Sequence, residues 1–142
     1  MRNMIGVGLI GMGVVGSGVA KTIIEKSDTL SSHVGLPLTL TGVAVRDILK
    51  QRPFNVSAGI LGNDPEQIVN DDSVNIVVEL IGGENPALEL ILTAVRNGKH
   101  VVTANKEVIS KHGAEIFSLA RENNVRVLFE ASVGGGIPII SP

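Results

Sequence analysis

The sequence predicts an α/β fold in which a doubly wound, mostly parallel sheet carries helices on both faces. Three observations lead there. Apolar, β-rich runs alternate with helix-period segments from end to end. The runs are near-continuously apolar, as strands buried on both faces are. The first strand-to-helix junction, Val7-Gly8-Leu9-Ile10-Gly11-Met12-Gly13-Val14-Val15-Gly16, is punctuated by glycine.

That junction opens the element order. Ile5, Val7, Leu9 and Ile10 suit a buried strand, and Val15, Val19, Ile23 and Ile24 then recur at helical spacing, predicting a helix from about Val14 to Leu30. In the G-x-G-x-x-G between them, Gly11 permits a tight turn, Gly13 lets the backbone approach a pyrophosphate, and Gly16 lets the helix pack closely. The helix N-terminus points unpaired N–H groups at such a phosphate. The pattern therefore predicts a Rossmann-type NAD(P)-binding domain.

A polar turn at Ser31-Ser32-His33 leads to a second strand, Leu38 to Val45. Pro53 to Ala58 reads as surface loop and Gly59-Ile60-Leu61 as a short third strand. Asp64-Pro65-Glu66-Gln67 is a helix start, with an N-cap Asp and Pro at the first helical position. Val74 to Ile81 is a buried strand closed by Gly82-Gly83; Asn85-Pro86 opens a helix by the same chemistry, and Gly98 ends it. The strand His100 to Thr103 follows, then a short helical turn at Asn105-Lys106, a helix from Gly113 to about Asn123, and a last strand, Val125 to Phe129.

There is no internal repeat, low-complexity segment or interdomain linker, so residues 1–142 read as a single dinucleotide-binding domain. Ile137, Ile139 and Ile140 form an apolar tail before Pro142, which is either a final strand tucked into the sheet or, the favoured reading, the mark of a fragment of a longer enzyme. A net charge of −2 with no basic stripe, and only 2% aromatic residues, argue against a nucleic-acid partner. The absence of cysteine excludes disulfides, thiolate metal sites and a cysteine nucleophile within this stretch. No apolar run has the length of a membrane span, and the chain is expected in the cytoplasm.

In this fold class ligands lie beyond the carboxyl ends of the strands, which singles out four places. At Val45-Arg46-Asp47, an acidic residue can bind ribose hydroxyls and an arginine can fork onto the 2′-phosphate of NADP. Arg46 tilts the choice towards NADP over NAD; the alternative is a solvated charge pair. At Ile81-Gly82-Gly83, paired glycines admit a ligand or merely turn the chain, while Glu79 inside the strand is expected to be a hydrogen-bonded structural carboxylate. At Thr103-Ala104-Asn105-Lys106, the lysine is either a solvated loop residue or a group that stabilises oxygen charge as hydride moves. At Phe129 to Pro138, a triple-glycine loop with Glu130 at its entrance is a flexible hinge or a carbonyl cage for a hard cation. His33, His100 and His112 are scattered and read as boundary or surface residues.

Taken together, Val7 to Val19, Val78-Glu79-Leu80-Ile81-Gly82-Gly83, Gly98-Lys99-His100-Val101-Val102-Thr103-Ala104-Asn105-Lys106 and Glu130 to Pro138 resemble, in order, the cofactor-binding domain of the homoserine dehydrogenases. The resemblance implies interconversion of L-homoserine and L-aspartate 4-semialdehyde with NAD(P)H, on the route to threonine, methionine and isoleucine. It implies cofactor contacts at Met12, Val14, Val15 and Lys106, beside Gly11, Gly13, Gly16, Arg46, Ile81 and Gly82, with Lys106 as the catalytic candidate. It also implies a monovalent cation such as sodium, held by Glu130, Val133, Gly135 and Ile137 largely through main-chain oxygens. Enzymes of this family are longer. Their second domain carries the acidic substrate-binding residues, the proton-donating lysine and most of a homodimer interface.

Two other readings stand beside it. Dehydrogenases of the glucose–fructose oxidoreductase group also place a lysine after this strand, but in a Glu-Lys-Pro, where this chain has Ala104-Asn105-Lys106. A stand-alone nucleotide-binding or redox-sensing module would end in a polar, docked segment. Aspartate-semialdehyde dehydrogenase chemistry needs a cysteine and is disfavoured.

Overall fold

Ile5–Ile10 (β1) lies in the middle of a six-stranded sheet, hydrogen-bonded to Leu38–Ala44 (β2) on one side and Ile76–Glu79 (β4) on the other. Leu61–Gly62 (β3) extends the sheet beyond β2; His100–Thr103 (β5) and Val127–Leu128 (β6) extend it beyond β4. The order is β3-β2-β1-β4-β5-β6 and every pair is parallel. This computed structural model describes residues 3–132. The doubly wound sheet expected from the sequence is thus present, and all-parallel.

Side-chain alternation divides the core into two clusters, one on each face. On one face Leu90, Ile91, Val95, Val108 and Ile116 pack over Ile10, Val77 and Val101. Their helices are Pro65–Asn70 (α3), Ala87–Arg96 (α4) and Lys106–Glu122 (α5). On the other face Ala20 and Ile23 of Val14–Glu25 (α1) pack over Val7, Leu9, Leu40 and Val43. Ser27–Val34 (α2) buries no residue. The helices on this face pack over β1 and β2, leaving Ile76 and Val102 half-buried and Leu128 55% exposed. None of the described helices is long and apolar enough to cross a membrane.

Missing side chains, as much as present ones, set the closeness of these layers. Gly8 and Gly42 are register partners on β1 and β2, and a Cβ on either would stand 2.4 or 2.6 Å from Ile68 of α3. The pair makes a notch that seats the short α3 directly on the sheet. Below it, the Lys99 ammonium, buried at the start of β5, donates to the carbonyls of Asp71 (2.6 Å) and Val74 (2.9 Å), tying the α3–β4 connection to β5.

Several boundaries differ from expectation, each for a local reason. The first helix stops at Glu25, because its buried face ends at Ile23 and the chain has run past the sheet. Ser31-Ser32-His33 is helix, not turn: Ser32 Oγ donates to the Thr29 carbonyl, and α2 ends only at Gly35, whose N–H donates to Ser31 O. The third strand lies at Leu61–Gly62, pairing with Val43–Ala44, and Gly59 precedes it. Asp64 caps α3 as expected, accepting from Glu66 N–H at 2.9 Å. Asn85-Pro86 does not repeat that chemistry; Pro86 is itself the N-cap of α4 and no side chain caps it. Gly98 does end α4, with Gly98 and Lys99 N–H donating back to Val95 and Ala94 carbonyls. Gly113 starts nothing. It is buried inside the single helix α5, which Asn105 caps by accepting from Val108 N–H at 3.2 Å. The fourth and last strands are the shorter Ile76–Glu79 and Val127–Leu128.

Gly6 gives the sharpest test of this packing, since a Cβ there would fall 1.9 Å from the Ser73 carbonyl oxygen, whereas one at Gly62 meets nothing within 4 Å. In urea denaturation, Gly6→Ala is expected to destabilise the chain by about 1–3 kcal/mol and Gly62→Ala to stay within about 0.5 kcal/mol. Equal effects would contradict the packing described.

Candidate dinucleotide-binding site

The chain leaves β1 for α1 on one face of the sheet and leaves the neighbouring β4 for α4 on the other. Between these departures the strand order reverses, and a crevice opens at the carboxyl ends. Its first wall is the glycine turn. Gly11 takes φ +94°, its N–H donates to the Ala44 carbonyl (2.9 Å), and a Cβ on it would stand 2.9 Å from Leu80 backbone atoms. Gly16 is tighter, with its absent Cβ only 2.2 Å from Gly11 O. Gly13, by contrast, has no described residue within 4 Å of a Cβ position.

The opening of α1 is suited to an anion. No side chain caps it and no acidic residue lies in its first turn, so the N–H groups of Val14, Val15 and Gly16 have no intrahelical acceptor. Val14 and Val15 are 82% and 63% exposed although apolar. Met12 differs from its neighbours: its side chain is buried in the core beneath α1, so only its backbone faces the crevice. Ser17, one residue past the motif, is buried with no hydrogen-bond partner for Oγ among the described residues.

The second wall is the turn Ile81-Gly82-Gly83, in which both glycines take positive φ, +71° and +72°, with no described residue within 4 Å of a Cβ position. Buried Glu79 anchors it. Its Oε1 accepts from Ile81 N–H (2.9 Å) and Gly82 N–H (3.4 Å), and its Oε2 accepts from the Thr103 hydroxyl (2.6 Å). This is the hydrogen-bonded structural carboxylate expected. Asn105 Nδ2 donates to Gly83 O at 2.6 Å. Lys106 follows as the first residue of α5, exposed and without a hydrogen bond or ion pair among the described residues. An ammonium there is available to a ligand.

Farther along the turn, Glu84 accepts from Lys111 Nζ (2.9 Å) and lies 2.7 Å from His112 Nε2. Those two hydrogen bonds hold the Glu84 carboxyl below the ordinary glutamate range, and Glu107 and Glu84 together hold the Lys111 ammonium above its own. His112, read from sequence as a boundary or surface residue, is therefore a half-buried partner of the site's second wall. Nothing in the local sequence marks it, because Glu84 is 28 residues away.

The third element is the loop after β2. Arg46 is exposed and unpartnered among the described residues. The Asp47 carboxylate folds back to accept from Leu49 N–H (2.9 Å), and Arg52 donates to the carbonyls of Asp47 and Lys50, closing the loop. Sequence reasoning does not single out Arg52; only its basic character near the strand end hints at it. At the far end of the sheet Glu130 is exposed in a short 3₁₀ turn. Val133, Gly135 and Ile137 lie outside the described residues, as does the apolar tail.

A family model described as the NAD binding domain of homoserine dehydrogenase matches residues 11–130. The homoserine dehydrogenase of Bacillus subtilis is 42% identical over 136 residues, covering 96% of this chain and 31% of that protein. The crystal structure of a homoserine dehydrogenase from Thiobacillus denitrificans matches with a TM-score of 0.87 at 42% identity, over 98% of this chain and 32% of that one. A hyperthermophilic archaeal homoserine dehydrogenase mutant in complex with NADPH matches at 26% identity and a TM-score of 0.74, over 96% of this chain and 47% of that one. The chain spans between 24% and 31% of the length of the first curated relatives it matches.

The Glu84 cluster makes a pH-dependent contribution whose sign follows from its depressed carboxyl. Stability from Glu84 is fully present above the ordinary glutamate value of 4.5 and is lost as pH falls through the lower folded value. Urea midpoints of the wild type between pH 7 and 3 should therefore fall more steeply on the acid side than those of Glu84→Gln. Parallel curves would remove Glu84 as a source of acid sensitivity.

Proposed function

The chain belongs to the homoserine dehydrogenase NAD-binding family, and from that premise we propose that it is the coenzyme-binding domain of a longer enzyme interconverting L-homoserine and L-aspartate 4-semialdehyde. The observation that carries the proposal is the crevice itself: an uncapped helix N-terminus on a glycine turn faces a second glycine turn, with the exposed Lys106, unpartnered among the described residues, beside it. When bound, NAD(P) supplies the hydride donor or acceptor. Gly11 to Gly16 hold its pyrophosphate through the amides of Val14, Val15 and Gly16, with Met12 contributing backbone only. Ile81 and Gly82 bound the opposite side. Lys106 places its ammonium near the substrate oxygen, where positive charge stabilises the alkoxide character that develops during hydride transfer.

The coenzyme we propose is NADP(H). Asp47 is turned onto its own backbone and Arg46 is left to pair with a 2′-phosphate. The archaeal relative in complex with NADPH supports the same choice. We further propose a monovalent cation such as sodium at Glu130, Val133, Gly135 and Ile137; the Glu130 carboxylate is exposed and unpartnered among the described residues, which suits a ligand. The substrate-orienting carboxylates, the proton donor and a homodimer interface belong, in this proposal, to a second domain, and the enzyme works in the cytoplasm.

Calorimetric titration with NADPH and NADH, paired with a spectrophotometric assay on homoserine, tests this. The 142-residue chain should bind NADPH and turn over essentially no homoserine, because aligning substrate and nicotinamide is worth roughly 7–11 kcal/mol of barrier. Arg46→Ala should weaken NADPH binding by about tenfold or more, the value of a charge-assisted hydrogen bond, while leaving NADH within about twofold. Absence of NADPH binding would overturn the coenzyme assignment, equal losses for both coenzymes would remove Arg46 from it, and rapid turnover would place a substrate site within this chain.

A further inference from the structure

The two turns that flank Lys106 are not independent. Glu79 at the end of β4 accepts from the N–H groups of Ile81 and Gly82, and its other oxygen accepts from the Thr103 hydroxyl at the end of β5. Thr103 Oγ1 in turn accepts from Asn105 N–H at 3.0 Å. The Asn105 side chain closes the path in two directions: Nδ2 donates to Gly83 O, and Oδ1 accepts from Val108 N–H to cap α5. Glu79, Thr103 and Asn105 are each at most 4% exposed. Hydrogen bonds thus run in a closed ring from the Gly82–Gly83 turn, through two strand ends, to the first turn of α5 and back.

We propose that Glu79, Thr103 and Asn105 are positioning residues that lock the Gly82–Gly83 turn and Lys106 into one unit, setting the side of the crevice that receives the nicotinamide half of the coenzyme. The inference rests on the proposed coenzyme function. None of the three acts on a reacting atom. Their chemistry explains why these residue types stand here. A carboxylate carries enough lone pairs to take two backbone amides and a hydroxyl at once. The Thr103 hydroxyl must donate to one neighbour and accept from another, which neither valine nor alanine can do. Gly82 and Gly83, both at positive φ with open space around them, have no side chains of their own to hold the turn. With the ring in place their conformation is specified from beneath, and among the described residues nothing covers the upper surface of the turn, where a ligand would lie.

The ring holds the turn after β4 and the start of α5 and, among the described residues, makes no hydrogen bond to the Gly11–Gly16 turn or the Arg46 loop, and that difference gives the test. In the 142-residue chain, Thr103→Val and Glu79→Gln should each weaken NADPH binding by about tenfold or more, as expected for buried polar groups left unpaired. The same variants should bind adenosine 2′,5′-bisphosphate, which lacks the nicotinamide half, within twofold of the wild type. Thr103→Ser, which restores the hydroxyl, should recover NADPH binding. Equal losses for both probes, or no loss for either, would overturn the proposal, the first because the ring would then serve only the fold. A wild-type chain that binds neither probe would instead refute the coenzyme reading, and the ring's role with it. Amide exchange in the wild type covers variants that fail to fold: Ile81 and Gly82 N–H groups should exchange far more slowly than Gly83 N–H, and exchange of all three at the unprotected rate would overturn the ring directly.

Discussion

The carbonyl oxygen of Gly11 lies where a Cβ on Gly16 would have to stand. That single close approach decides how the chain leaves β1. With Gly16 bare, α1 starts immediately over the turn, its first amides face outward beyond the strand end, and its buried face falls on β1 and β2. Any side chain at Gly16 would lift the helix from the turn and spread the amides of its first turn. Gly11 is constrained from the other side, by the Leu80 backbone. The glycine turn is therefore clamped between helix and neighbouring strand, and it lies where the adjacent strands β1 and β4 send their helices to opposite faces of the sheet.

The opposite wall is made differently. There no described residue packs within 4 Å of a Cβ position on either glycine, and the conformation is set by hydrogen bonds from buried side chains. Glu79, Thr103 and Asn105 carry that role from below, and half-buried Glu84 adds an attachment to Lys111 and His112. One wall is fixed by sterics and the other by polar groups, and Lys106 stands beside the polar one. In the proposed function, the first wall holds the anion and the second faces the reacting ring.

Features determined by neighbours in sequence are legible in the residues alone. The glycine turn, the Asp64 cap, the Gly98 helix end and the His100–Thr103 strand all follow from chemistry within a few residues, and all stand where expected. Elements decided by tertiary packing are not. Gly113 reads as a helix start on local propensity, yet burial of Val108, Gly113, Ile116 and Ala120 along one face carries α5 straight through it. Asn85-Pro86 carries the same letters as a capped start, but its side chain caps nothing. At the site, the sequence marks Glu79, Gly82 and Lys106 singly. The partners that join them, Thr103 to Glu79 across 24 residues and Asn105 to Gly83 across 22, come together only when β4 and β5 pair.

The central claim is that a nicotinamide dinucleotide lies across the crevice between β1 and β4. Nuclear magnetic resonance of the ¹⁵N-labelled chain during titration with NADPH tests it most directly. The largest amide shifts should fall on Gly13 to Gly16, Arg46 and Ile81 to Gly83, with little change on the outer surfaces of α3 and α4. Shifts concentrated on those helices or at the amino ends of the strands, with the glycine turn unmoved, would contradict it.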